Sequence, residues 1–265
     1  MNKELIKDIE ENLNINFDSC NVHYFTDGAT DSIVFSINDK YLIKTVDELT
    51  YNTQVEFLGK YKNNYFQKLI YSNKDLSYLC FEYIEGTKIN SDTIFDINDI
   101  INQIYNITSN YSKYNYDGYG YLFEDYNKTW YDFLYDEIIY SKKEIENISI
   151  DKVTNALDII KKYDVDKYLI HGDFGTHNFL FNNGEIKVID PMGVVGDYLY
   201  DFYFAIFSNS DLFTKTNIEY ILSFYERDLE YKKALLTIVV YIRMSRAHKY
   251  DIDNFGKYLN LYEIL

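Results

Sequence analysis

The hydrophobic pattern of the chain changes once, near Glu85 and Gly86, and this change constrains the fold more than any other feature. Before it, short runs rich in Val, Ile, Tyr and Phe alternate with turn residues, which is typical of strands. After it, apolar residues recur at the helical interval of three and four. We therefore expect an α+β protein with two lobes, in which residues 1–86 contain a sheet and residues 87–265 are mainly helical.

The first 84 residues predict a helix, three strands, a second helix and two more strands. Short turn segments separate the first three strands, which indicates an antiparallel meander and, with the last two strands, a five-stranded antiparallel sheet. The predicted strands span 21–25, 32–37, 40–46, 66–72 and 76–84, and the predicted helices span 1–13 and 48–61.

The second lobe is predicted to be helical except over 167–192, where short strands and loops lie between helices. Loops that a scaffold holds in place commonly carry function. The predicted helices span 92–113, 128–147, 151–163, 198–208, 216–227, 229–249 and 254–263.

Charge and composition exclude several classes of partner. The chain has 26 basic and 42 acidic residues, a net charge of -16 that repels nucleic acids and anionic membranes and either aids solubility or attracts a cationic small molecule. The longest apolar stretch, 234–242, is about half the length of a membrane span. The charged N-terminus is unlike a signal peptide, and two cysteines make no disulfide framework. We expect a cytoplasmic monomer.

The segment HGDFGTHN and the VIDP that follows it supply three oxygen-bearing side chains, Asp173, Asn178 and Asp190. Each lies close to a predicted strand, so that a loop and the end of a hairpin could bring them together. Magnesium prefers oxygen ligands and needs only two or three from the protein. One carboxylate could instead act as a base toward a substrate hydroxyl.

This pattern, H-G-D-x-x-x-x-N followed by I-D, resembles the catalytic and metal-binding loops of the aminoglycoside phosphotransferase and choline kinase-like family, relatives of the protein kinases. The resemblance implies a bilobal protein-kinase-like fold, with a nucleotide-binding lobe over 1–86 that ends in a hinge. Residues 87–265 would carry the catalytic loop and the acceptor-binding helices. It also implies Asp173 as the catalytic base, Asn178 and Asp190 as Mg²⁺ ligands, and ATP or GTP as the phosphate donor.

The resemblance also implies a lysine on the third strand that contacts the α- and β-phosphates. Lys44 lies on the third predicted strand. A glutamate of the next helix should hold this lysine, and we expect Glu56 to do so; Glu48 is the alternative, although it could simply stabilise the start of the helix.

Two further segments are implied to bind the nucleotide. The loop between the first two strands should cover the triphosphate, and FEYIEG should hold the base through its backbone. The implied contacts are Gly28, Thr30 and Ser32 in the loop, and Phe81, the Glu82 carbonyl and the Ile84 N–H in the hinge.

Other positions are implied to support the site or to bind the acceptor. His171 and Asp201 would hold the catalytic loop, Asp201 by accepting hydrogen bonds from its backbone. A cationic acceptor would be attracted by carboxylates in the C-terminal helices, for which the candidates are Glu226, Asp228, Glu230 and Glu263.

The implied activity is transfer of the γ-phosphoryl group to a hydroxyl of a small molecule, with an aminoglycoside-type antibiotic as the first expectation. The alternatives are a small-metabolite kinase, acting on choline, homoserine, methylthioribose or a sugar-like alcohol, and a nucleotide-binding pseudokinase scaffold.

Overall fold

A computed structural model describes residues 3–25, 32–89, 96–124 and 129–265. The chain divides into two compact units. The first comprises Met1–Thr87 and Leu180–Asp190, and the second comprises Lys88–Phe179 and Pro191–Leu265. The segment 180–190 therefore returns to the first unit, which the change of pattern at Gly86 does not reveal.

The first unit contains a five-stranded sheet in the order β1-β2-β3-β5-β4, with every neighbouring pair antiparallel. This confirms the predicted fold class and the predicted order of helices and strands. The elements are α1 (Lys3–Leu13), β1 (Val22–Phe25), β2 (Val34–Ile37), β3 (Tyr41–Thr45), α2 (Glu48–Lys60), β4 (Leu69–Asn73), β5 (Tyr78–Glu82) and β6 (Thr87–Lys88).

One face of this sheet packs against α1. Ile43 of β3 and Cys80 of β5 lie opposite each other and are buried in one apolar cluster with Leu5 and Ile9 of α1. Successive side chains of a strand point to opposite faces. Lys44, the neighbour of Ile43, therefore points to the face opposite α1.

The rest of the chain is mainly helical, apart from short strands. The elements are α3 (Ile97–Ser109), β7 (Gly120–Tyr121), α4 (Trp130–Glu144), α5 (Asp151–Ile160), β8 (Tyr168–Ile170), β9 (Phe179–Asn182), β10 (Glu185–Val188), β11 (Val194–Gly196), α6 (Tyr198–Ile206), α7 (Ser210–Thr214), α8 (Ile218–Ser223), α9 (Leu229–Tyr250) and α10 (Ile252–Ile264).

The central helix of the second unit is α9, which packs against α4, α5, α6 and α10. Its residues from Ala234 to Ser245 are all buried, as expected for a helix that neighbours enclose. The short β7, β11 and α7 were not predicted, because elements of two to five residues are too short for a periodic signal. Across the described residues no helix is both long and apolar enough to cross a membrane.

The return to the first unit is a hairpin of β9 and β10. Its turn has positive φ at Asn183 (48°) and Gly184 (87°), the conformation that an Asn-Gly pair favours. The N–H of Gln67 then donates to the carbonyl of Val188 at 2.9 Å, which fixes the end of β10 to the first unit. Asp190 follows two residues later.

Candidate functional site

Residues 171–178 are here called the HGD loop, and the backbone conformation of its first turn requires a glycine at Gly172. Gly172 has φ of +85°, and a Cβ there would lie 2.5 Å from Cγ2 of Val194. Only glycine adopts this conformation readily and leaves room for the β11 side chain. The glycine of H-G-D is therefore required by the turn that presents Asp173.

The buried carboxylate of Asp201 on α6 holds the same turn. It accepts hydrogen bonds from the His171 N–H (2.7 Å), the Gly172 N–H (3.2 Å) and the Tyr111 hydroxyl (2.8 Å). Burial raises the pKa of Asp201 to about 7, although these donors favour the ionised form. The geometry is the one implied for a supporting residue. His171 is fully buried and its ring lies tilted by 56° against that of Phe174, with ring centroids 5.5 Å apart.

Three side chains surround the carboxylate of Asp173. Oδ2 lies 3.0 Å from Nε2 of His177 and accepts from Nδ2 of Asn178 at 3.2 Å, while Oδ1 accepts from the Arg246 guanidinium at 3.0 Å. Burial raises the pKa of Asp173, but the hydrogen bond and charge of His177 and the charge of Arg246 outweigh it and hold that pKa well below its usual range. The carboxylate is therefore ionised at neutral pH.

Asn178 is held so that its carbonyl oxygen is the atom left for a ligand. Its Nδ2 donates to the Asp173 carbonyl (2.9 Å) as well as to the Asp173 carboxylate. A short 3₁₀ helix, Thr176–Asn178, carries it, and the Thr176 N–H donates to the Ser208 hydroxyl at 2.8 Å. An amide oxygen is a suitable Mg²⁺ ligand.

In the first unit, Lys44 and Asp190 form an ion pair between the Lys44 ammonium and Oδ1 of Asp190. Asp190 has φ of +60°, which redirects the chain just after β10. The side-chain amide of Gln54 donates to the same Oδ1 at 2.6 Å. A lysine and a carboxylate that is 45% exposed suit a phosphate and its metal.

Gln54 is a site residue that the sequence analysis missed. It is 2% exposed and shares the buried side of α2 with Phe57 and Leu58. The signal available in the sequence was that Gln54, a polar residue, is followed three and four positions later by the apolar Phe57 and Leu58, which share its side of the helix.

Glu56 lies about 200° around the helix from Gln54, so it projects from a different side of α2. Its pairing with Lys44 stays a prediction, and the carboxylate of the alternative, Glu48, pairs with Lys74 at 3.0 Å.

Of the residues implied to bind the nucleotide, Gly28 and Thr30 lie outside the described residues, and Ser32 is half-buried before β2. Phe81 is buried in β5. The Glu82 carbonyl accepts from the Gln67 side chain at 2.9 Å, so a base would use its second lone pair. Ile84 lines a cavity of about 1050 Å³ in the first unit, which neither Lys44 nor Asp190 lines.

The residues proposed for acceptor binding are exposed, and two of them lie at the start of α9. Asp228 caps the first turn of α9, and Glu230 lies 3.3 Å from the Tyr163 hydroxyl. Arg246, which contacts Asp173, is near the other end of α9, roughly 24 Å along the axis from Glu230. Glu226 is exposed before α9, and the backbone carbonyl of Glu263 accepts from Lys152 at 3.1 Å.

The residues implied to be metal ligands carry oxygen donors, which magnesium prefers. No group of three or more His, Cys, Asp and Glu side chains within the described ranges could hold a metal ion. In the second unit Asn178 offers an amide oxygen, and in the first unit Asp190 offers a carboxylate. Each is a type of oxygen ligand that Mg²⁺ accepts.

Comparison with known proteins reveals similarity at the level of structure. No protein-family model matches the chain, and no curated protein sequence matches it. The ADP-bound aminoglycoside phosphotransferase APH(2″)-Ib superposes with a TM-score of 0.58 at 16% identity, covering 98% of this chain and 97% of that one. The gentamicin complex of APH(2″)-IIa gives 0.53 at 15% identity, with 98% and 95% covered.

A third similar structure is the choline kinase of Cryptosporidium parvum Iowa II, with a TM-score of 0.61 at 13% identity and coverage of 97% and 94%. At these identities the similarity establishes the fold and not the substrate. It agrees with the five-stranded antiparallel sheet and the helical remainder described above. The chain therefore has the protein-kinase-like fold of the aminoglycoside phosphotransferases and choline kinases.

Proposed function

We propose that the protein is a phosphotransferase that moves the γ-phosphoryl group of ATP or GTP to a hydroxyl of a small molecule. The observation that carries this proposal is the HGD loop, in which Asp201 holds two backbone N–H groups and presents an ionised Asp173 beside Asn178. The shared fold and the ADP-bound neighbour support nucleotide binding.

In the proposed reaction the bond between the γ-phosphorus and the β–γ bridging oxygen breaks, and a bond from the γ-phosphorus to the acceptor oxygen forms. Asp173 orients the acceptor hydroxyl and takes its proton. Lys44 binds phosphate oxygens, while Asn178 and Asp190 would hold Mg²⁺, which neutralises charge on the triphosphate. The loose transition state needs alignment and charge neutralisation more than covalent help.

The acceptor is the finer part of the proposal. The gentamicin-bound neighbour supports an aminoglycoside, the first expectation from the sequence, and the choline kinase supports a small metabolite. A polycation would need several carboxylates, and two of the four proposed ones, Asp228 and Glu230, lie at the opposite end of α9 from Arg246. We therefore propose a small-molecule alcohol as the acceptor class, with aminoglycosides as one group to screen.

The test is a transfer assay with purified protein, Mg²⁺ and ATP or GTP against aminoglycosides, choline, hydroxy acids and small sugars, read by the mass of the phosphorylated acceptor. Asp173→Asn should lower turnover on the order of a hundredfold or more. Asp166→Asn is the control, because Asp166 pairs with Lys113 where both side chains are exposed.

Full transfer activity in Asp173→Asn would contradict the assignment of the base. Nucleotide binding without transfer or hydrolysis by the unmodified protein would favour the pseudokinase alternative.

A further inference from the structure

Arginine is rare in this chain and is concentrated near Asp173. Only three of the 26 basic residues are arginines, namely Arg227, Arg243 and Arg246. Arg243 and Arg246 lie one turn apart on α9 and stack on the same ring, with their guanidinium carbons 4.8 and 4.9 Å from the centroid of Phe204. Arginine differs from lysine in having a planar group that matches carboxylate and phosphate.

The inner arginine of this pair is incompletely satisfied. Arg243 is only 9% exposed, and its Nε has no hydrogen-bond partner within the described part of the chain. Its NH2 group donates to the Ser208 carbonyl at the long distance of 3.4 Å. Burial lowers the pKa of Arg243. A buried cation beside a second cation is unfavourable unless an anion compensates both.

The anions contacting this pair are few. Arg246 donates to Asp173 at 3.0 Å, and Glu137 of α4, which accepts from the Tyr121 hydroxyl at 3.0 Å, also interacts with it electrostatically. Burial raises the pKa of Glu137, which reduces its value as a counter-charge. Asp173 is thus the carboxylate that Arg246 contacts directly, and its charge also acts on Arg243.

The contact with Asp173 does not by itself explain why this position carries an arginine, Arg246. His177 and Asn178 already contact the Asp173 carboxylate through Oδ2, at 3.0 and 3.2 Å. A guanidinium has five donors, and Asp173 takes one through NH1. The Arg246 side chain is also 30% exposed, so it can meet a solute that approaches Asp173.

We infer that Arg246, with Arg243 behind it, binds an anionic group, a carboxylate or a phosphate, that the acceptor carries beside its reacting hydroxyl. This inference rests on the proposed function, because it places the acceptor at Asp173. It replaces the cationic acceptor expected from the net charge with a hydroxy acid or a phosphorylated alcohol.

The first test uses the unmodified protein labelled with ¹⁵N-arginine, which should give three Nε–Hε resonances that Arg→Lys variants assign. Titration with inorganic phosphate or acetate should shift the Arg246 resonance to saturation. Arg227 is the internal control, because it lies 3.6 Å from the fully buried Asp197. Whichever of the two anions binds more tightly shows whether the acceptor carries a phosphate ester or a carboxylic acid.

The Asp173→Asn variant sharpens this titration. It removes the carboxylate that competes for Arg246, so phosphate or acetate should bind several-fold more tightly. The inference would be overturned if the Arg246 resonance shifted without reaching saturation, or if chloride and choline shifted it equally.

The second test uses matched acceptors, glycerate and glycerol 3-phosphate against glycerol. Arg246→Lys should raise KM for an anionic acceptor roughly tenfold or more beyond any change in KM for glycerol, so that the ratio of the two KM values reports the anion contact. An equal fall in kcat for every acceptor, with KM unchanged, would show instead that Arg246 serves the transferred phosphoryl group, and the inference would fail. The titration needs no turnover, so a saturable Arg246 shift without any transfer would defeat the proposed function and not the anion site.

Discussion

Gln54 and Asp190 are joined by a hydrogen bond of 2.6 Å from the buried Gln54 amide to Oδ1 of Asp190, the oxygen that also pairs with Lys44. The amide is neutral, so Asp190 is the partner that balances the Lys44 charge in this ion pair. Gln54 also has its own Oε1 buried without a partner among the described residues. The role of Gln54 is therefore to orient Asp190 and not to add charge.

Gln54→Met tests this role by keeping the length of the side chain and removing the hydrogen bond. The free energy of unfolding should fall by about 1–3 kcal/mol in urea titrations, since a bond to a charged acceptor is lost. Nucleotide affinity should fall more with Mg²⁺ than without it. Gln67→Met is the control, because Gln67 donates to the Glu82 carbonyl and should not alter the Mg²⁺ dependence. An equal loss in both variants would contradict the assignment.

Lys44→Met separates function from stability. Lys44 is 15% exposed and its partner Asp190 is 45% exposed, so the ion pair should contribute only about 0–1 kcal/mol to stability. Loss of the phosphate contact should instead lower kcat/KM on the order of a hundredfold or more. Lys74→Met, which breaks the exposed pair with Glu48, should change neither quantity. A large loss of stability with retained transfer would make Lys44 a structural residue.

Gly172→Ala tests the turn that presents Asp173. Its φ of +85° is unfavourable for alanine, and the new Cβ would meet Val194 at 2.5 Å. Gly184 is a matched control, because it has φ of +87° with no atom within 4 Å of the new Cβ. We expect Gly184→Ala to lose about 1 kcal/mol and keep transfer activity, and Gly172→Ala to lose more and to displace the base. Equal effects would show that backbone strain alone matters.

The sequence predicted local order well and long-range packing poorly. The strands around Lys44 follow from alternating apolar residues and turn signals, and the HGD loop is recognisable from residue type and spacing. The pairing of Gln54 with Asp190 joins positions far apart in the chain, and no local pattern encodes such a contact. The same holds for Arg246, which is one basic residue of a long buried helix until α9 is packed against the HGD loop.

Asp201→Asn should make stability less dependent on pH. Burial raises the pKa of Asp201 from 3.8 to about 7, so the unfolded chain releases this proton at lower pH than the folded chain does. The contribution of Asp201 to stability is then fully present below 3.8 and is lost as the pH rises through about 7. The unmodified protein should therefore lose about 1 kcal/mol per pH unit relative to Asp201→Asn across this window, measured by urea unfolding at each pH. The three donors around the carboxylate, from Tyr111, His171 and Gly172, oppose burial. If these donors outweigh burial, the difference between the two proteins will instead grow in favour of the unmodified protein as the pH rises, and the fully buried Asp201 will prove to be ionised.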